Sequence, residues 1–206
     1  NFLLLFLMAL LPLAGWADEA TVTLYSVQKS YGADDPSPAN AEQFPASAYN
    51  FTVISGTVTW DNIKDDLTFT RVESGEDAGH SYRYTLTYSG SYTIHIVDTG
   101  ATLIINQATN EWTTELSITG WNYGADANTP SASPKFGEVT YQYKLTSADD
   151  EAYSDGVPTN AGDYTVKATV PATTNYTALS ATSTFTISKV DPTVTAPTPA
   201  TLEAYN

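Results

Sequence analysis

Apolar and polar residues alternate along much of this chain with a period of two. Over residues 82–88 the side chains Tyr82, Tyr84, Leu86 and Tyr88 share one face, and Arg83, Thr85 and Thr87 share the other. That is the pattern of a strand with one buried side. Ser89-Gly90 supplies a turn; Tyr92, Ile94 and Ile96 then alternate with Thr93, His95 and Val97, and Leu103 and Ile105 give the inward positions of a closing strand. These runs predict a meander. Further on, Val139, Tyr141 and Tyr143 alternate with Thr140, Gln142 and Lys144, and Tyr164, Val166, Ala168 and Val170 alternate with Thr165, Lys167 and Thr169. Turn residues at Asp155-Gly156, Ala161-Gly162-Asp163 and Pro171 separate the runs. Short strands so punctuated, with no useful stretch of helical period, predict an all-β sandwich rather than a parallel α/β fold.

The pattern also recurs on a longer scale. Ser30-Tyr31-Gly32-Ala33-Asp34 returns as Asn122-Tyr123-Gly124-Ala125-Asp126, 92 residues later. Asp77-Ala78-Gly79 returns as Asn160-Ala161-Gly162, and residues 102–107 return as 184–189, after 83 and 82 residues. Such a period is too long for a solenoid unit of ~20–50 residues and suits a sandwich of about 100 residues or fewer with its own core. The expected organisation is a module over 18–108, a second over 109–189 and the start of a third over 190–206. Pro192, Pro197 and Pro199 stiffen the second seam.

Residues 1–17 have a different character. The run NFLLLFLMALLPLAGW carries no charge and is followed by Ala17 and then Asp18-Glu19. Its apolar core is shorter than the ~20 residues of a membrane span, and Gly15 and Ala17 occupy the −3 and −1 positions of a cleavage site. A signal peptide cleaved after Ala17 is expected, which places the chain in the secreted or cell-surface class.

Composition narrows the chemistry. Tyr numbers 14, aromatic residues make up 12% and charged residues only 15% of 206 positions, which favours half-buried pleated surfaces. The net charge of −15 divides as −8 over 18–108, −5 over 109–189 and −2 over 190–206. An acidic field throughout disfavours nucleic acid and anionic lipid as partners. With no cysteine, disulfides, thiolate metal sites and cysteine nucleophiles are excluded.

On these landmarks, residues 21–107 resemble the MBG-type domain of bacterial adhesins. The resemblance rests on Tyr31-Gly32-Ala33-Asp34-Asp35-Pro36, Asp66-Leu67-Thr68 and Gly79-His80-Ser81-Tyr82, where the Gly-to-Tyr interval carries one extra residue. Residues 112–188 look like the related bacterial immunoglobulin-like repeat through Trp121-Asn122-Tyr123-Gly124, Lys135-Phe136-Gly137 and Ala161-Gly162-Asp163-Tyr164. Residues 160–166 also resemble the E–F corner of immunoglobulin-like domains, where a Tyr bonds backward to the backbone; Val166 stands where an antibody domain has Cys. The resemblance implies tandem immunoglobulin-like sandwiches in a modular bacterial surface protein, sometimes adhesive, with no catalytic residues.

Candidate chemistry is sparse. His80 and His95 lack a neighbouring nucleophile motif, and the carboxylate pairs Asp65-Asp66 and Glu76-Asp77, read as strand neighbours, would point to opposite faces. Asp149, Asp150, Glu151 and Asp155 form an acidic loop, a candidate for calcium or a solvated hairpin tip. Trp60, Trp112 and Trp121 are candidates for stacking on sugars or for core and seam packing. No cofactor and no catalysis are expected. The expected function is an adhesin stalk or spacer whose partners are host or matrix glycans or proteins and the adjacent modules of the chain. The alternatives are a carbohydrate-binding module and an accessory region of an extracellular hydrolase.

Overall fold

The computed structural model describes residues 17–195. The expected signal peptide, apart from Ala17, and the stretch of the expected third module beyond residue 195 lie outside the described residues. The chain divides into two compact units, Asn1–Ala108 and Thr109–Asn206, and the fold is an all-β sandwich in which the period-two alternation becomes strand pairing.

In unit one the described strands are β1 (Glu19–Leu24), β2 (Val27–Ser30), β3 (Tyr49–Ser55), β4 (Leu67–Arg71), β5 (Ser81–Tyr88), β6 (Thr93–Val97) and β7 (Thr102–Asn106), with one helical turn α1 (Trp60–Ile63). They form two sheets in the orders β3-β1-β6 and β2-β7-β5-β4. Both sheets turn an apolar face to one core: Ala20, Val22 and Leu24 from β1 meet Tyr84 and Leu86 from β5 and Leu103 and Ile105 from β7. Burial of these inward side chains is the main source of cohesion.

The expected meander over residues 82–106 does not form. The chain leaves β5, crosses to the other sheet as β6, where it runs parallel to β1, and returns as β7 beside β5. Ile94 and Ile96 still pack toward the core. Asp65 and Asp66, read as strand residues, lie instead in a 3-10 turn that precedes β4.

Unit two contains β8 (Trp112–Ser117), β9 (Trp121–Asn122), β10 (Ser131–Pro134), β11 (Thr140–Leu145), β12 (Gly162–Val170) and β13 (Leu179–Ser188). Its sheets run β10-β8 and β11-β12-β13-β9. The larger sheet repeats the larger sheet of unit one strand for strand. β9 is parallel to β13 as β2 is to β7, and the two remaining pairs are antiparallel in both units.

The equivalence extends to the turns. Tyr31 N–H donates to the Asn106 carbonyl at 2.8 Å and Tyr123 N–H to the Ser188 carbonyl at 2.8 Å, while Ala33 and Ala125 N–H close the same turn on Ser30 and Asn122. The glycine between sits at φ +75° in Gly32 and +82° in Gly124, a left-handed conformation that side chains with a Cβ resist. Tyr164 makes the corner contact, its hydroxyl donating to the Asn160 carbonyl at 3.1 Å. Val166 behind it is fully buried. In unit one the matching Tyr82 reaches the Asp77 carbonyl only at 3.5 Å, because one extra residue separates it from Gly79.

Tyr84 is the larger anchor of unit one. It is fully buried, its ring stacks on Phe69 at 4.5 Å and meets Phe44 edge-on at 6.3 Å. Its hydroxyl donates to the Tyr25 carbonyl at 2.5 Å. Burial first, and then the charge of Asp98, push its ionisation well above the ordinary tyrosine range, so it remains a donor. Replacing Tyr164 by Phe is expected to reduce stability by about 1 kcal/mol, and Tyr84→Phe by about 1–2 kcal/mol because a part-buried carbonyl then lacks its donor. Urea unfolding measures both, and unchanged midpoints in the two variants would contradict these roles.

Candidate functional site

A lysine at an inward strand position demands partners. In β2, Val27 and Lys29 face inward and both are buried; the Lys29 side chain is 5% exposed. Its ammonium has three donors, and each finds an acceptor: the Ala33 carbonyl at 2.9 Å, Asp35 Oδ1 at 2.8 Å and Glu76 Oε1 at 2.8 Å. Arg71, at the end of β4, brings the second cation. Its Nε donates to Asp35 Oδ2 at 2.8 Å, its Nη2 to Glu76 Oε1 at 2.5 Å and its Nη1 to the Gly75 carbonyl. The guanidinium also lies over the Tyr82 ring at 5.9 Å.

Two cations and two carboxylates thus neutralise one another and tie together β2, the turn after it, the end of β4 and the loop before β5. Burial works against ionisation of Glu76, but the hydrogen bonds from Lys29 and Arg71 outweigh it and hold the carboxyl below its ordinary range. Its Oε2 is buried without a hydrogen-bond partner. With every Lys29 donor engaged, the cluster is built to clasp segments rather than to deliver a nucleophile.

Unit two solves the same end of the sandwich differently. Lys29 pairs with Ile105 as Trp121 pairs with Ile187, and Arg71 opposes Tyr84 as Tyr143 opposes Val166. Asp35 lies four residues past Tyr31 as Ala127 lies four past Tyr123, and Glu76 precedes Asp77 as Thr159 precedes Asn160. The four charged positions are therefore Trp, Ala, Tyr and Thr. Trp121 stacks on Phe185 at 5.1 Å, Tyr164 stacks on the same ring at 5.7 Å and Tyr143 meets it edge-on at 6.2 Å. Where Asp35 and Glu76 reach inward in unit one, the small Ala127 and Thr159 leave a surface cavity of about 400 Å³, with Trp121, Tyr123, Asp126 and Asn160 also on its walls.

The remaining candidates fall apart spatially. Trp60 packs flat on Tyr49 at 3.7 Å and joins the unit-one core. Trp112 is half-buried in β8, opposite Pro134. In the acidic loop, Asp150 is held by Lys144 at 2.9 Å and Asp155 accepts from Gln142 Nε2 at 3.0 Å. Asp149 precedes a 3-10 turn in which Glu151 is exposed. Among the described residues, no three His, Asp or Glu side chains gather where they could hold a metal ion. His95 lies on the exposed face, its Nε2 2.6 Å from Glu19 Oε1, and the His80 ring lies 6.4 Å from that of Tyr82.

The signal for the clasp was present in the alternation, since Lys29 occupies the position where Val27 requires an inward side chain. Asp35 lies only six residues from Lys29, but the four-residue cluster was not readable, because the Lys29–Glu76 and Arg71–Asp35 contacts span 47 and 36 residues of chain. Compared with models of known protein families and with curated proteins, the chain matches none.

Lys29→Ala is expected to destabilise unit one by about 2–3 kcal/mol, less than a fully buried pair because both carboxylates keep some exposure and Arg71 remains. Since the folded Glu76 carboxyl titrates below its ordinary value of 4.5, its contribution is complete above that pH and is lost as pH falls through the depressed value. Unfolding midpoints followed from neutral pH downward are expected to show that loss, and to show less of it in Glu76→Gln.

Proposed function

We propose that this chain is a non-catalytic segment of a bacterial secreted or cell-surface protein, an MBG-type module followed by an immunoglobulin-like module, that spaces or presents other domains. The observation that carries the reading is the repetition of one strand order and one Tyr-Gly turn in two units, each with its own core. A repeated scaffold locked by an ionic clasp in one unit and an aromatic cluster in the other serves position and reach. The Tyr-Gly-x-x-Asp-Pro pattern supports the same reading, because its Asp35 is a member of the clasp that fixes the turn.

Export supports the surface role and rests on the apolar run ahead of Asp18. In the source cells, the mature protein is expected to begin at Asp18 on N-terminal sequencing, and antibodies against residues 18–189 are expected to label intact cells. Retention inside unbroken cells would refute the proposal. Reading the gene beyond Asn206 distinguishes a spacer, followed by further modules, from an accessory region of a hydrolase, followed by a catalytic domain.

A further inference from the structure

The cavity in unit two occupies the place that the ionic clasp fills in unit one. On a shared strand framework, the exchange of Asp35 and Glu76 for Ala127 and Thr159 removes both carboxylates that close this end. The exchange of Lys29 for Trp121 puts an indole where an ammonium stood. The result is an opening of about 400 Å³, within the size range of small-ligand sites.

We infer that this cavity is a binding site for one pyranose ring of an uncharged glycan. Trp121 is half-buried and Tyr123 is 52% exposed, so aromatic surface borders the opening. The apolar C–H face of a pyranose packs against such rings. The polar groups around them are mixed: Asp126 accepts, whereas the Thr159 hydroxyl, the Tyr123 hydroxyl and the Asn160 side-chain amide both donate and accept. Among the described residues, none of these four side chains is engaged in a hydrogen bond. Sugar hydroxyls use both roles at once. A basic side chain would leave the donors without acceptors, and an anionic sugar would meet Asp126 and a chain of net charge −15.

The aromatic side of the site and Asn160 are fixed by the fold. Trp121 is fixed by Phe185 and by its place in β9, Tyr123 by its bond to Ser188, and Asn160 by the hydroxyl of Tyr164. Binding therefore costs little ordering of these groups, which favours affinity at a shallow site.

The test uses the chain from Asp18 to Asn206. A panel of glucose, galactose, mannose, N-acetylglucosamine and their neutral oligomers is titrated by calorimetry and by protein NMR, alongside a sialylated glycan and an oligolysine peptide. Saturable binding of at least one neutral sugar is expected. Asp126→Ala is expected to weaken it by about tenfold, and Ala127→Trp, which fills the cavity, is expected to abolish it. Unfolding midpoints of both variants check that the fold persists; Tyr123→Ala, at an exposed ring, replaces any variant that fails to fold. Absence of binding by every neutral sugar at about 10 mM, binding unaltered in the variants, or binding of oligolysine or the sialylated glycan alone overturns the inference. None of these outcomes bears on export or on the spacer role, which the cell-labelling experiment decides separately.

Discussion

In a chain without cysteine, each unit depends on closing its larger sheet by pairing an early strand with the last one. β2 joins β7 and β9 joins β13, both in parallel. The partners are far apart in sequence, so these pairings carry a large loop-closure cost and are expected to slow folding. Once formed, they fix the ends of the sandwich, seat the Tyr-Gly turn against the last strand and leave Leu103, Ile105, Phe185 and Ile187 buried. The corner tyrosine, the clasp and the aromatic cluster are all built on strands that this closure holds in register.

The two units show how one framework accepts opposite chemistries at the same place. Taking Lys29 out of water is costly, and the expense is offset only because three acceptors meet its three donors and a second cation balances the carboxylates. Unit two needs no such balance, since Trp121, Tyr143 and Tyr164 gather around Phe185 through contacts that carry no desolvation penalty for charge. The ionic solution demands four partners at set distances and so fills its space. The aromatic one is satisfied by rings on the sheet and leaves its rim open at Ala127 and Thr159.

Much of this architecture was legible in the residue pattern. The faces of Tyr82–Tyr88 and Tyr164–Val170 and the inward pair Leu103 and Ile105 follow from local alternation, and the corner at Tyr164 from the resemblance of residues 160–166 to the E–F corner of immunoglobulin-like domains. The place of β6 did not follow, because a period of two tells which side chains turn inward and not which sheet they belong to; Ile94 and Ile96 satisfy either. Trp121 was recognisable as an aromatic candidate. The cavity beside it was not, since an opening made by Ala127 and Thr159 is visible only against the charged residues that hold their places in the other unit.

The parallel closure has a mechanical consequence. In each unit the early strand, β2 or β9, comes one strand after the chain enters and its parallel neighbour is the last strand, so once β1 or β8 gives way a pull on the two ends drags the parallel pair in opposite directions along their length. The hydrogen bonds between Val27–Ser30 and Leu103–Asn106 would then be loaded together, in shear, instead of being unzipped one after another as in a hairpin. Lys29 lies within that seam, and through Asp35, Glu76 and Arg71 it anchors the loaded strand to segments outside it. A fold closed in this way meets tension with its whole interface at once.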